Sequence, residues 1–229
     1  MHKKSEIMPS RSIIFDLDGT LIDSQESILN AIRAALNELG VEAKIPVTKE
    51  LIGPPLIDTL LKIIEVKDRL ILNTVADKFK LHYDSTGYRN SVVYQGIQHL
   101  LDRLFKQGYV LYVATNKRLI PTKKIVDYLS WDSLFYAVYS IDLNAKKPFK
   151  NKGEMISVLL RNELIDPNSA IYVGDRDEDY DAAKANGVPC VLVDWGYGKN
   201  SKFKSNIEYV ANSPKDLLNI IESFEWPRY

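Results

Sequence analysis

Two carboxylates stand one residue apart in Phe15-Asp16-Leu17-Asp18-Gly19-Thr20, directly after the apolar run Ser12 to Phe15. At the end of a strand such a pair holds a hard cation and still offers one oxygen as a nucleophile. Gly19 lets the chain turn away sharply. Alone, the segment also reads as a polar turn closing a strand. It is no EF-hand loop, because Gly19 falls at position 4 instead of 6 and position 5 lacks Asn or Asp. A second acidic cluster, Gly174-Asp175-Arg176-Asp177-Glu178-Asp179-Tyr180-Asp181, follows another apolar run. As a calcium loop from Asp175 it would put Tyr180 where Gly is required and Asn186 where the bidentate Glu belongs, so that reading fails. By itself the run is an acidic helix start. Opposite Asp16 and Asp18 it becomes the other half of a Mg²⁺ site, since this ion keeps several waters and binds through one or two carboxylates plus a substrate phosphate.

Ala114-Thr115-Asn116-Lys117 closes a third apolar run. A hydroxyl, an amide and exposed backbone N–H groups at a strand-to-helix turn make an anion cradle, although Thr-Asn is also an ordinary N-cap. Lys146, Lys147, Lys150 and Lys152 precede a helical pattern, and at least three of them read as solvated loop charges. His2, His82 and His99 lack the paired spacing of a metal site and read as surface or packing residues. Gly196-Tyr197-Gly198 follows a strand but lacks the third glycine of a dinucleotide fingerprint.

The elements that must position these groups are βαβ units. Short β-rich runs at Ser12 to Phe15, Val110 to Ala114, Ala137 to Ile141, Ala170 to Val173 and Cys190 to Val193 alternate with helical patterns, which predicts a parallel sheet. In such a sheet the ligand crevice lies beyond the carboxyl ends of the strands, so Asp16, Asp18, Thr115, Asn116 and Asp175 converge there. Between the first and second runs lie almost a hundred residues, more than one crossover needs. Asp23 with Glu26 forms a capping box for a helix whose apolar positions continue to Leu39 before Gly40, and further helical spacing covers Leu56 to Ile64 and Leu70 to Phe79. The expected architecture is a Rossmann-like α/β core, residues 11–22 and 89–229, with an all-helical insert over 23–88. A core helix over Ile97 to Phe105 leads into the second strand.

Composition narrows the function classes. The 229 residues are 45% apolar and 26% charged, which suits a globular chain with a full core. Thirty Lys and Arg balance 30 Asp and Glu, so no net charge invites nucleic acid or an anionic membrane. The single Cys190 lies in an apolar run and reads as core filling. No apolar stretch reaches the ~18 residues of a membrane span, and Met1 to Arg11 lacks the apolar region of a signal peptide. The expectation is a cytoplasmic protein with a loose N-terminal tail.

The motifs together resemble those of the haloacid dehalogenase-like hydrolases: DLDGT after the first strand, ATNK after the second, a lysine ahead of a helix, and GDRDED after the fourth. The order matches as well. The DSQESI helix, the helical insert, Tyr94-Gln95-Gly96, the WGYG segment (195–198) and SPKDLLNII (213–221) resemble the phosphoglycolate phosphatase-like branch with its small helical cap. The resemblance implies a Mg²⁺-dependent phosphatase acting on a small phosphorylated metabolite of the phosphoglycolate, nucleotide or sugar phosphate type. Asp16 would attack phosphorus and form an aspartyl-phosphate. Asp18 would be acid, then base. Thr115, Asn116 and one lysine, Lys152 or Lys147, would hold phosphate oxygens. The metal set would be Asp16, Asp18 through its main-chain carbonyl, Asp175 and Asp179. Gly53 and Pro54, in the stiff Gly53-Pro54-Pro55-Leu56 loop between two cap helices, would face the substrate. An Asp at position 18 favours phosphatase over dehalogenase chemistry, since a C–Cl bond needs no acid for its leaving group. A phosphosugar mutase and a catalytically silent phosphate-binding module are the alternatives, and monomer or homodimer is left open.

Spacing separates the two lysines. From Lys152 a helix through Ile156, Leu159 and Leu160, a turn and a strand fill the 23 residues to Asp175, whereas a start at Lys147 leaves five residues without a place. Lys152→Ala is therefore expected to remove most of the activity and Lys147→Ala little, as steady-state kinetics will show. The reverse order would refute this register.

Overall fold

The computed structural model describes residues 11–52, 56–65, 68–198 and 208–227. In chain order, β1 (Ser12–Phe15) and β2 (Ile22–Asp23) precede three helices, α1 (Gln25–Leu39), α2 (Leu56–Ile64) and α3 (Arg69–Ser85). There follow β3 (Val92–Val93), α4 (Ile97–Lys106), β4 (Val110–Thr115), α5 (Leu119–Tyr128), β5 (Phe135–Ser140), α6 (Lys152–Asn162) and β6 (Ala170–Gly174). The chain ends with α7 (Asp177–Ala185), β7 (Cys190–Val193), β8 (Tyr209–Ala211) and α8 (Pro214–Ser223).

Six strands form one parallel sheet in the order β5-β4-β1-β6-β7-β8. A parallel sheet needs both faces covered, and alternate residues of the strands divide accordingly. Ile13, Phe15, Leu111, Val113, Ile171 and Val173 face one apolar layer with residues of α4, α5 and α8. Ile14, Tyr112, Ala114, Tyr172 and Leu192 face the other, where Met155, Ile156 and Leu159 of α6 and Ala182 and Ala183 of α7 pack. Strand order reverses at β1, which places the ends of β1, β4 and β6 at the crevice of an open α/β sheet. The three helices between β2 and β3 pack on one another and join the first layer through residues such as Ile32, Leu60 and Phe79. The chain enters and leaves this helical layer through a two-stranded antiparallel ribbon, Ile22 opposite Val93 and Asp23 opposite Val92.

Several boundaries differ from the sequence-based expectation. Helix α1 begins at Gln25 instead of Asp23. Asp23 lies in β2 and accepts the Gln25 N–H at 3.0 Å. Ser24 holds the N-cap position without capping through its side chain, because its hydroxyl is used on Asp18. Helix α3 runs on to Ser85, β5 begins at Phe135, and β2, β3 and β8 are additional strands. Gly40 closes α1 at φ +63°, as expected of a left-handed terminator. Cys190 is buried among apolar neighbours. Among the described residues no helix is long and apolar enough to cross a membrane.

Helix α6 carries Lys152 at its first position and anchors on Leu159, which is fully buried. Leu159→Ala is expected to destabilise the fold by about 2–5 kcal/mol, measured as a fall in the urea midpoint at unchanged slope.

Candidate active site

Beyond the carboxyl end of β1 the chain drops Asp16 into a buried position, 5% exposed, with its N–H bonded to Val173 O at 2.9 Å. Gly19 then turns at φ +86°, and its lack of a side chain matters twice, since a Cβ there would lie 2.5 Å from Asp175 Oδ2. The neighbouring end of β6 delivers Asp175, and the first turn of α7 delivers Asp179; both are buried. Ligand oxygens of Asp16, Asp175 and Asp179 lie within 4.8 Å of one another. Lys152, 3% exposed at the start of α6, places Nζ 2.5 Å from Asp179 Oδ1 and 3.3 Å from Asp16 Oδ2. Lys147 is exposed in the preceding turn.

Each acid is held differently. Asp179 Oδ2 accepts the N–H groups of Asp175 and Arg176 at 3.1 and 3.0 Å, so this side chain ties the β6–α7 turn together and holds Lys152. Asp175 Oδ2 accepts the N–H groups of Tyr197 and Gly198 at 2.6 and 3.2 Å. The WGYG segment is thus a clamp on Asp175. Its glycines are needed for close approach, since a Cβ on Gly196 would lie 2.4 Å from Asp175 Cβ and one on Gly198 1.8 Å from Asp175 O. Asp18 lies apart from the acidic cluster, with its carboxylate between Lys117 Nζ, 3.0 and 2.9 Å from its two oxygens, and Ser24 Oγ at 2.5 Å. Its expected contribution to the metal was the main-chain carbonyl, not these oxygens.

Charge crowding marks the site. Burial, then repulsion from Asp179 and Asp18, pushes the Asp16 carboxyl up to about 6 against the opposing pull of Lys152. Burial, with Asp179 and Asp16, pushes Asp175 up to about 7. Burial works to lower the Lys152 ammonium, but Asp16 and Asp179 outweigh it and hold it above the ordinary lysine range. The same contest, decided by Asp18, holds Lys117 above that range. In the cluster itself three carboxylates face one ammonium. Asp16 Oδ1 and Asp175 Oδ1 are both buried without a hydrogen-bond partner. An all-oxygen donor set with excess negative charge and two unsatisfied oxygens fits a hard divalent cation such as Mg²⁺.

A cleft of about 330 Å³ opens onto Asp16 and Asp18. Thr115, Asn116, Lys117, Lys150 and Lys152 line its core side, and Ile28, Ile32, Phe79 and Tyr83 line it from the helical layer. Thr115 Oγ1 accepts the Lys117 N–H at 3.2 Å, and Asn116 donates to Glu178 at 2.9 Å. Gly53 and Pro54 lie outside the described residues. The sequence reading did not single out Ser24, Tyr197 or the Lys117 contact to Asp18. For Lys117 a signal existed: it follows Thr115 and Asn116 in the same strand-end turn.

A family profile described as haloacid dehalogenase-like hydrolase matches residues 13–193. The phosphoglycolate phosphatase of Aquifex aeolicus is 34% identical over 218 residues, 93% of this chain and 97% of the relative. A 5'-nucleotidase of Pseudomonas aeruginosa is 32% identical over 199 residues, 85% of this chain and 87% of the relative. The crystal structure of a predicted phosphatase from Clostridium acetobutylicum superposes with a TM-score of 0.81 at 27% identity, covering 95% of this chain and all of that one. The chain belongs to the haloacid dehalogenase-like hydrolases. Within them it falls in the phosphoglycolate phosphatase-like branch and is a hydrolase of phosphoric monoesters.

Gly198→Ala forces the clamp off Asp175. Partners that orient a metal ligand are worth ~10–100-fold in affinity, so, with Asp175 a metal ligand as the resemblance implies, the divalent-cation concentration giving half-maximal activity should rise by about that factor, followed by titrating Mg²⁺ at fixed substrate. An unchanged Mg²⁺ requirement would show that the clamp does not serve a metal.

Proposed function

We propose that the chain is a Mg²⁺-dependent phosphatase that hydrolyses a small phosphomonoester through an aspartyl-phosphate on Asp16. The observation that carries this reading is the state of Asp16 itself. It lines the cleft with Oδ1 unpartnered, while Lys152 restrains Oδ2. The ion pair with Lys152 fixes one oxygen and leaves the other without a hydrogen-bond partner, so the carboxylate is oriented while still able to react.

In the first step an Asp16 oxygen bonds to phosphorus and the bond from phosphorus to the leaving oxygen breaks. Asp18 gives its proton to that oxygen, which departs as an alcohol. In the second step Asp18 takes a proton from water as the water attacks the same phosphorus. The bond from phosphorus to Asp16 breaks, and inorganic phosphate and free Asp16 are restored. Thr115, Asn116 and Lys152 hold the phosphoryl oxygens, with Lys152 kept in place by Asp179. Asp16, Asp175 and Asp179, with the main-chain carbonyl of Asp18, would hold Mg²⁺, which when bound neutralises charge on the transferring group. Phosphomonoester hydrolysis is among the slowest uncatalysed reactions, and a covalent path flanked by fixed charges lowers that barrier. The helices over 23–88 act as a cap that excludes water from the intermediate, and the substrate is a phosphorylated metabolite of the phosphoglycolate, nucleotide or sugar phosphate type.

Asp16→Asn is expected to abolish hydrolysis of 4-nitrophenyl phosphate in Mg²⁺ buffer while circular dichroism and melting stay close to wild type, because an amide oxygen is a far weaker nucleophile. A folded variant that keeps more than a few per cent of the rate would remove Asp16 from this role. Assay of the wild type against a panel of phosphometabolites identifies the substrate. A requirement for a bisphosphorylated sugar activator would assign the chain to mutase chemistry instead.

A further inference from the structure

Lys117 has no part in the steps above, yet its surroundings are specific. Its side chain, 6% exposed, runs from the turn after β4 to the loop after β1 and sets Nζ against both oxygens of Asp18. On its other side Nζ lies 4.7 Å from the centre of the Tyr83 ring, which α3 supplies from the helical layer. Ser24, at the start of α1, donates to Asp18 Oδ1 and has its own N–H on the Tyr197 hydroxyl at 2.8 Å. Asp18 is therefore gripped through both oxygens by groups from separate elements. Its own loop supplies neither grip.

Orientation is what an acid–base carboxylate needs. It must come within about 2.6–3.2 Å of the oxygen it serves, and an aspartate free to turn about two torsions spends much of its time elsewhere. An ammonium bound to both oxygens, with an aromatic face behind it, removes that freedom. We propose that Lys117 is a positioning residue for the reaction: it holds the Asp18 carboxylate toward the leaving-group oxygen, and Tyr83 of the helical layer keeps Lys117 in place. The proposal rests on the reading of Asp18 as the proton carrier. It assigns Lys117 no contact with phosphate, a place that Lys152 fills beside Asp16.

Leaving-group dependence tests it. The variant Lys117→Met keeps the length of the side chain and its packing on Tyr83 but loses the charge. Two esters are compared by kcat/KM, which reports transfer to the enzyme: 2,4-dinitrophenyl phosphate, whose phenolate leaves without a proton, and the alkyl phosphomonoester that the wild type hydrolyses fastest. General acid–base help is worth about 10²–10⁴-fold, so the alkyl ester should lose on the order of a hundredfold and the dinitrophenyl ester less than about threefold. The inhibition constant of inorganic phosphate should stay unchanged. Lys117→Arg should restore most of the alkyl rate, because a guanidinium also presents two donors to a carboxylate. Should Lys117→Met fail to fold, Lys117→Gln set against Lys117→Arg makes the same comparison.

Asp18→Asn, measured alongside, separates the two levels of the argument. If it shows the selective loss and the Lys117 variants instead lose equally on both esters, or weaken phosphate inhibition, the positioning role is overturned while the acid–base reading stands. If Asp18→Asn itself is indifferent to the leaving group, the reading of Asp18 fails and the proposal with it.

Discussion

Three carboxylates are buried around one ammonium at the end of a parallel sheet, and most of the local architecture is a response to that crowding. Isolated charges do not survive burial unless they are paired and hydrogen-bonded. Asp179 meets the condition with Lys152 and two backbone N–H groups. Asp175 meets half of it through the 197–198 clamp, and Asp16 meets half of it through Lys152. What remains unmet is one oxygen on each of the last two. Packing the clamp this closely requires glycine at 19, 196 and 198, where a methyl group would overlap the Asp175 side chain or main chain. The glycines are thus consequences of the charge cluster rather than independent features of flexible loops.

A second ionic system lies beside the first and serves a different end. Lys117 and Ser24 keep Asp18 away from the acidic cluster, so two carboxylates only one residue apart in sequence occupy different environments. Asp16 feels burial and like charge, whereas Asp18 is paired and partly open to the cleft. One loop thereby supplies two chemically distinct acids. Contacts between core and helical layer follow the same economy: Arg118 forms a bidentate pair with Asp84, and Arg176 donates to the Ile52 carbonyl at 2.9 Å. These are long side chains from crevice turns reaching to the layer above.

How much of this was legible in the sequence depended on range. Strands β1, β4 and β6 stand out as apolar runs ending in polar residues, and α2 and α4 as apolar spacing, because those signals are local. The place of Lys152 at the start of α6 follows from counting residues to Asp175, whereas its burial does not. Strands β2 and β3 are two residues long, too short for any alternation to register, and β8 is three. The helix start at Asp23 was misplaced by a tertiary demand: Ser24 gives its hydroxyl to Asp18, which no cap pattern records. Lys117 was quoted within its motif, but its partner lies 99 positions away. Tyr197 and Gly198 stand in the WGYG motif, but they act on Asp175 through main-chain N–H groups, which every residue except proline possesses, so the motif does not show that contact.

The clamp on Asp175 also bears on when the protein becomes an enzyme. Strand β1, which leads into Asp16, pairs with strands that begin at residues 110 and 170, and among the described residues the last donors to the acidic cluster come from 197–198. Closing such long loops is slow, and contacts of this separation form late. During synthesis Asp16 therefore leaves the ribosome well before Lys152, Asp175 and Asp179, the residues it meets in the cluster. A nascent chain carries the helical layer and the DLDGT loop but has no assembled charge cluster. The charge cluster is thus complete only once the later strands of the sheet have paired alongside β1.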